Sequence, residues 1–181
     1  MFLARWRARR ASLALIDELR GEIVAASRRP ALYRAIEAPD RVDGRFELLT
    51  LHVGLVLRRL VALGGLGDDI AQDLVNAVFL QLDDTLREQA LSDIPVSRRL
   101  KAMKIAFYGR NAAYAAALDS GSRADLAAAL ARNVYGAPGG APKAGALADY
   151  VLAVEAGLAQ ISLEDFVTGR FRFPDGALAG G

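Results

Sequence analysis

Apolar residues recur at intervals of three and four along most of the chain, and nowhere do they alternate over a stretch long enough for a strand. Residues 11–28 put Leu13, Ile16, Leu19 and Ile23 on one helical stripe, with Arg20 and Glu22 off it. Pro30 interrupts that segment, and ALYRAIEAP reads as a short helical turn leading into Pro39. The spacing then predicts a helix starting at Asp40 or Asp43, either of which can cap free first-turn amides, and running to about Leu63. Gly64 and Gly65 suit the left-handed stop, and Arg58 and Arg59 complement the negative pole of that helix.

Residues 68–90 form an amphipathic helix, with Ala71, Leu74, Val75, Val78, Leu82 and Leu86 on one face and Asp73, Asn76, Asp83 and Arg87 opposite. SDIPVSRR breaks and restarts the chain, Pro95 fitting the first turn of a helix to about Leu118 that aligns Leu100, Met103, Phe107, Tyr114 and Leu118. Ser122 and Asp125 have capping-box spacing for the next helix, which Gly136 ends, and APGGAPKAG is loop. A helix from about Ala144 to Gln160 follows, with the stripe Leu147, Tyr150, Val151, Val154 and Leu158. Ser162 caps a last short turn, and RFRFPDGALAGG runs out into a frayed tail. The pattern predicts a single compact all-α bundle of six or seven helices. Its organisation is a basic segment at 1–12, an all-α domain at 13–174 and a flexible tail at 175–181.

Composition narrows the chemistry. With 181 residues and 53% apolar side chains the chain builds one real core. It has no cysteine and one histidine, which removes disulfides, zinc-thiolate sites, iron–sulfur clusters, thiol nucleophiles and paired-histidine haem ligation within one chain. No phosphate-cradling GxxxxGK[ST] and no GxSxG is present, so no cofactor is expected. The longest greasy run, LLTLHVGLVL, falls short of the ~18 residues of a membrane span, so a soluble or peripheral protein is expected.

The single histidine, His52, lies in PDRVDGRFELLTLHVGLVLRRL with Asp43 and Glu47 upstream. Nine positions place Asp43 on the opposite side of a helix, and five leave Glu47 poorly aligned, so no orienting carboxylate completes a general base. His52 shares a polar flank with Arg45 and Arg59, and reads as a structural or interface residue. Beside the main stripe of Phe46, Leu49, Val53, Val56 and Leu60 runs a second one, Leu48, Leu51 and Leu55. Such a helix either sits centrally in its bundle or leaves one strip open for a partner.

The net charge of +2 is unevenly spread. Arg98, Arg99, Lys101, Lys104 and Arg110 lie on one predicted helix, with no acid between Asp93 and Asp119. Such a run points to an anionic partner such as lipid headgroups, RNA or an acidic protein patch. Pairing with Asp83, Asp84 and Glu88 on the preceding helix is the alternative. At the N-terminus Phe2 and Trp6 stand among Arg5, Arg7, Arg9 and Arg10, the composition of an interfacial membrane helix or of a basic arm. Aromatic residues do not interleave with basic ones as nucleic-acid stacking platforms would, so DNA is not an expected partner.

LYRAIEAPDRVDGRFELLTLHVGLVLRRL, SRRLKAMKIAFYGRNAAYAAAL, ARNVYG and a terminal GRFRFP occur in order over residues 31–174. In these motifs the chain resembles the ubiquinol–cytochrome c chaperone family. The resemblance implies a non-enzymatic assembly factor that helps newly made cytochrome b enter ubiquinol–cytochrome c reductase, with contact near the ribosomal exit in mitochondrial relatives. For this bacterial-type chain it implies action at the cytoplasmic face of the inner membrane. It carries over no catalytic residues. Client-contact candidates are Arg45, Phe46, His52, Arg58, Arg59, Phe107 and Tyr108. Two rivals stand beside it: a helical small-molecule or lipid-binding enzyme using His52, and a peripheral membrane module without a specific client.

Overall fold

The computed structural model describes residues 2–88 and 96–176, with side chains from residue 13 onward. Every regular element among the described residues is helical: α1 (Phe2–Ser27), α2 (Pro30–Arg34), α3 (Val42–Leu63), α4 (Leu66–Glu88), α5 (Val96–Asp119), α6 (Arg123–Asn133), α7 (Ala144–Ala159) and α8 (Leu163–Val167). Six of these are long, and α2 and α8 are single turns, in keeping with an all-α bundle. The side chains of the basic segment, Phe2, Arg5, Trp6, Arg7, Arg9 and Arg10, lie outside the described residues, as does Pro95.

α3 is the axis of the bundle and packs against α1, α4, α5 and α7. Most of both apolar strips is consumed in doing so, Phe46 and Leu49 staying half-buried. Leu48, Leu51 and Leu55 are buried on one side, and Val53, Val56 and Leu60 on the other. Each such side chain withdrawn from water contributes about 1.5–3 kcal/mol, which is what makes α3 the central helix. Gly64 and Gly65 follow at φ of 65° and 53°, where a side chain would be strained, and the chain turns at once into α4.

Several local expectations are corrected. Asp40 and Asp43 do not cap α3. The N-cap is Arg41, which makes no side-chain cap bond; Asp43 sits in the first turn, and Asp40 instead accepts from Arg45 Nε at 2.7 Å. Leu13 is 62% exposed, while Ile16, Leu19 and Ile23 of the same stripe are buried. α1 also begins at Phe2 rather than near residue 11. The caps on α6 and α8 are as expected. Ser122 accepts from Asp125 N at 3.1 Å, and Ser162 and Asp165 form a reciprocal capping box.

The segment after α8 begins as core rather than frayed tail. Phe171 and Phe173 are buried, the first stacked on Phe166 at 4.9 Å between ring centroids. Arg29 fastens this strap, donating to Pro174 O at 3.1 Å and Phe173 O at 3.2 Å and pairing with Asp175 at 3.0 Å. GRFRFP is therefore a clasp that ties the C-terminal chain to the end of α1.

Candidate functional site

His52 sits at the centre of that clasp. Its ring is fully buried, with Nδ1 2.7 Å from Leu48 O and Nε2 2.8 Å from the Tyr150 hydroxyl on α7. With Nδ1–H donating to the carbonyl, Nε2 accepts from the tyrosine O–H, so every polar atom of the neutral ring is used. Phe173 covers the ring from the strap, at 5.1 Å between centroids. Burial pushes the imidazole down to about 4, and no carboxylate touches it. His52 does not lie on a polar flank of α3 and presents nothing to the surface. Of the roles left open by the sequence, its surroundings fill the packing one.

The arginines near the end of α3 are also taken. Arg58 reaches Glu155 Oε1 on α7 at 2.7 Å and Asp119 Oδ1 at the end of α5 at 2.6 Å. Arg59 donates through Nε and Nη2 to Ile161 O, at 2.9 and 2.8 Å. They clamp α3 to its neighbours rather than answering its own negative pole.

Around this clamp α3, α5 and α7 leave a groove of about 580 Å³. Gly54 and Leu57 of α3, Phe107, Ala112 and Ala115 of α5, and Leu158 of α7 give it an apolar lining in which small residues alternate with large ones. Phe107 is only 2% exposed and holds the lining in place, its ring edge-to-face with Phe79 at 5.3 Å. Tyr108 and Val61 stand at the groove 57% and 59% exposed. Large apolar groups left this open beside an apolar groove are the kind of surface that binding partners use.

Four of the seven predicted contact residues, Arg58, Arg59, Phe107 and Tyr108, meet in this groove. Arg45 and Phe46 do not. They line a smaller cleft near Val24, Leu86 and Met103. The residues missed from the sequence are the small ones, Gly54, Ala112 and Ala115, since alanine in a helix reads as filler until its neighbours are known. Gly54 is required by closeness: a Cβ there would come within 1.8 Å of Asn111 Oδ1. Gly54→Ala is therefore expected to cost about 1–3 kcal/mol by overpacking α3 against α5. The double variant Gly54→Ala/Asn111→Ala should recover most of it, as read by urea denaturation.

The basic run on α5 divides. Arg110 turns inward and pairs with Glu47, whose side chain is 8% exposed, so Arg110 is a core ion-pair partner and not part of an anionic-surface face. Burial lifts the Glu47 carboxyl to about 7, with Arg110 pulling it the other way. Arg99 lines the cleft with Phe46. Arg98, Lys101 and Lys104 are exposed, and among the described residues no carboxylate pairs with them or with Arg99. Asp83, an anticipated partner, is engaged by Arg87 at 2.9 Å instead. The described residues contain no group of carboxylates and histidine placed to hold a metal ion. None of their helices is long and apolar enough to cross a membrane.

A family model described as ubiquinol-cytochrome C chaperone matches residues 34–173. A solved structure, that of the Cbp3 homolog from Brucella abortus, superimposes with a TM-score of 0.85 at 35% identity, covering 97% of each chain. No curated protein sequence matches the chain significantly.

Proposed function

The chain belongs to the ubiquinol–cytochrome c chaperone family, and from that premise we propose that it holds newly made cytochrome b at the cytoplasmic face of the membrane until the reductase is assembled. The observation that carries this reading is the open groove between α3, α5 and α7, lined by Leu57, Phe107 and Leu158 together with glycine and alanine, and edged by exposed Tyr108 and Val61. Small residues let a helix backbone approach closely, which is how membrane-spanning helices pack on one another. An apolar client helix laid into such a groove meets a surface of the same kind, the helix-in-groove mode of recognition.

The rival that uses His52 as a catalyst gains no support. The ring does not line the groove, all its polar atoms are bonded within the fold, and its depressed basicity comes from burial and not from an acid partner. A general base needs a reacting atom within reach, and the cage of Leu48, Tyr150 and Phe173 leaves no room for one.

Affinity capture of the tagged full chain from detergent-solubilised membranes tests the proposal. Cytochrome b should be enriched in the eluate, and deleting the gene should lower the cytochrome b haem absorbance of the membranes. Capture of no cytochrome b by the folded protein, together with an unchanged haem spectrum in the deletion strain, would sink it.

A further inference from the structure

The first half of α5 is unlike the rest of the bundle. From Val96 to Ala106 no side chain is fully buried, and Phe107 is the first core residue of the helix. Arg98, Lys101, Ile105 and Tyr108 follow one another at steps of three, four and three, which sets them on a single outward stripe. Ile105 is 67% exposed and Tyr108 57%. Lys104 flanks the stripe with its ammonium over the Phe79 ring, 5.2 Å from the centroid. A solvated helix face ordinarily mixes charge signs and carries no large aliphatic group at its centre. This one carries cations of one sign without carboxylate partners among the described residues, and an isoleucine and a tyrosine between and beyond them.

We infer that this stripe is a docking face for an anionic bilayer, with Arg98 and Lys101 on phospholipid headgroups and Ile105 and Tyr108 seated at headgroup depth. Charge complementarity supplies the attraction, and the apolar pair separates lipid from nucleic acid as its source. Isoleucine has no face to stack on a base, whereas it gains by entering the acyl boundary, and tyrosine is at home at the membrane–water interface. Tyr108 also edges the groove, so docking through α5 turns the groove toward the bilayer. The inference does not depend on which client fills the groove.

The test is flotation of the full chain with phosphatidylcholine vesicles, with and without phosphatidylglycerol. Each cation near an anionic surface is worth roughly fivefold in partition. Arg98→Glu/Lys101→Glu should therefore lower binding to phosphatidylglycerol vesicles by about thirtyfold or more, with binding to phosphatidylcholine weak throughout. Ile105→Ser should lower it several-fold without changing its salt dependence. Arg132→Glu/Lys143→Glu, which moves the same charge on α6 and the loop before α7, should retain binding apart from a small general loss. All these side chains are partly or fully exposed, and unchanged far-UV circular dichroism checks folding. If the α5 reversal costs no more than the control reversal, the face is not where the protein meets the membrane and the inference is wrong. It is equally overturned if Ile105→Ser leaves vesicle binding intact while single-stranded RNA binds more tightly than vesicles, which would make the cations a nucleic-acid surface.

Discussion

Replacing His52 by alanine is expected to cost about 3–5 kcal/mol, the range for deleting a large ring from a closed core. The loss has three parts. The ring's volume is left as a cavity under Phe173, the Tyr150 hydroxyl loses its partner in a place water does not reach, and α3 loses its buried hydrogen bond to α7, keeping only the part-buried Arg58–Glu155 pair between them. Tyr150→Phe removes only the hydrogen bond and should cost about 1–2 kcal/mol, because the imidazole nitrogen is left unpaired. Urea denaturation followed by circular dichroism measures both. A His52→Ala protein as stable as the parent would mean that the clasp of α3, α7 and the C-terminal strap does not hold the fold together.

The same residue gives the pH dependence a definite sign. His52 titrates near 4 in the fold and near 6.5 when unfolded. As pH falls through that window the unfolded chain takes up a proton that the fold refuses, so stability drops, by about 3 kcal/mol in all. Glu47 does the reverse. Its carboxyl titrates near 7 in the fold against 4.5 unfolded, so from pH 7 down to 4.5 the fold holds the extra proton and gains stability by a similar amount. The two contributions offset each other, and the parent protein should show little slope between pH 6.5 and 4.5. Asp149 and Asp165, held below the ordinary carboxylate range by Arg123 and by Ser162, titrate beneath this window. Removing one member exposes the other: Glu47→Gln should become acid-labile from pH 6.5 downward, while His52→Ala should recover stability as pH falls from 7 to 5. Parallel slopes in the two variants would refute the opposition.

The second large effect concerns the groove. Ala112 lines it and is itself exposed, so a bulky side chain there need not disturb the core. Ala112→Trp is expected to fill the groove and lower capture of cytochrome b by roughly tenfold or more, the factor that about 1.4 kcal/mol of lost contact gives. Thermal stability should be unchanged. Ile105→Ser should show the converse, losing vesicle affinity while capture in detergent persists. Full capture by folded Ala112→Trp would place the client elsewhere on the molecule.

The periodicity of α3, α4 and α7 was legible because each buries a broad stripe, and a stripe is a property of the local chain. The stripe of α7 is buried throughout, as its spacing predicts. α5 was harder to read. Of its predicted stripe, Phe107 and Tyr114 are buried, while Leu100, Met103 and Leu118 stay half-buried. Whether a residue on a correct stripe meets a neighbour depends on where the other helices end.

Sequence by itself determined the helical class, the stops at Gly64 and Gly65, the caps at Ser122 and Ser162, and, through ordered motifs, the family. These are set by residues close together in the chain, where the physics of a turn or a cap is complete within a few positions. Tertiary structure alone decided what the charged and polar residues do. Arg58, Arg59 and Arg110 find partners 61 to 102 positions away and become clamps, while Arg98 and Lys101, indistinguishable from them in sequence, find no carboxylate partner among the described residues. His52, read from the sequence as a structural or interface residue on a polar flank, is a neutral ring enclosed by Leu48, Tyr150 and Phe173. A long polar side chain can satisfy itself across any contact the fold brings within reach, and only the packed fold selects which contact that is.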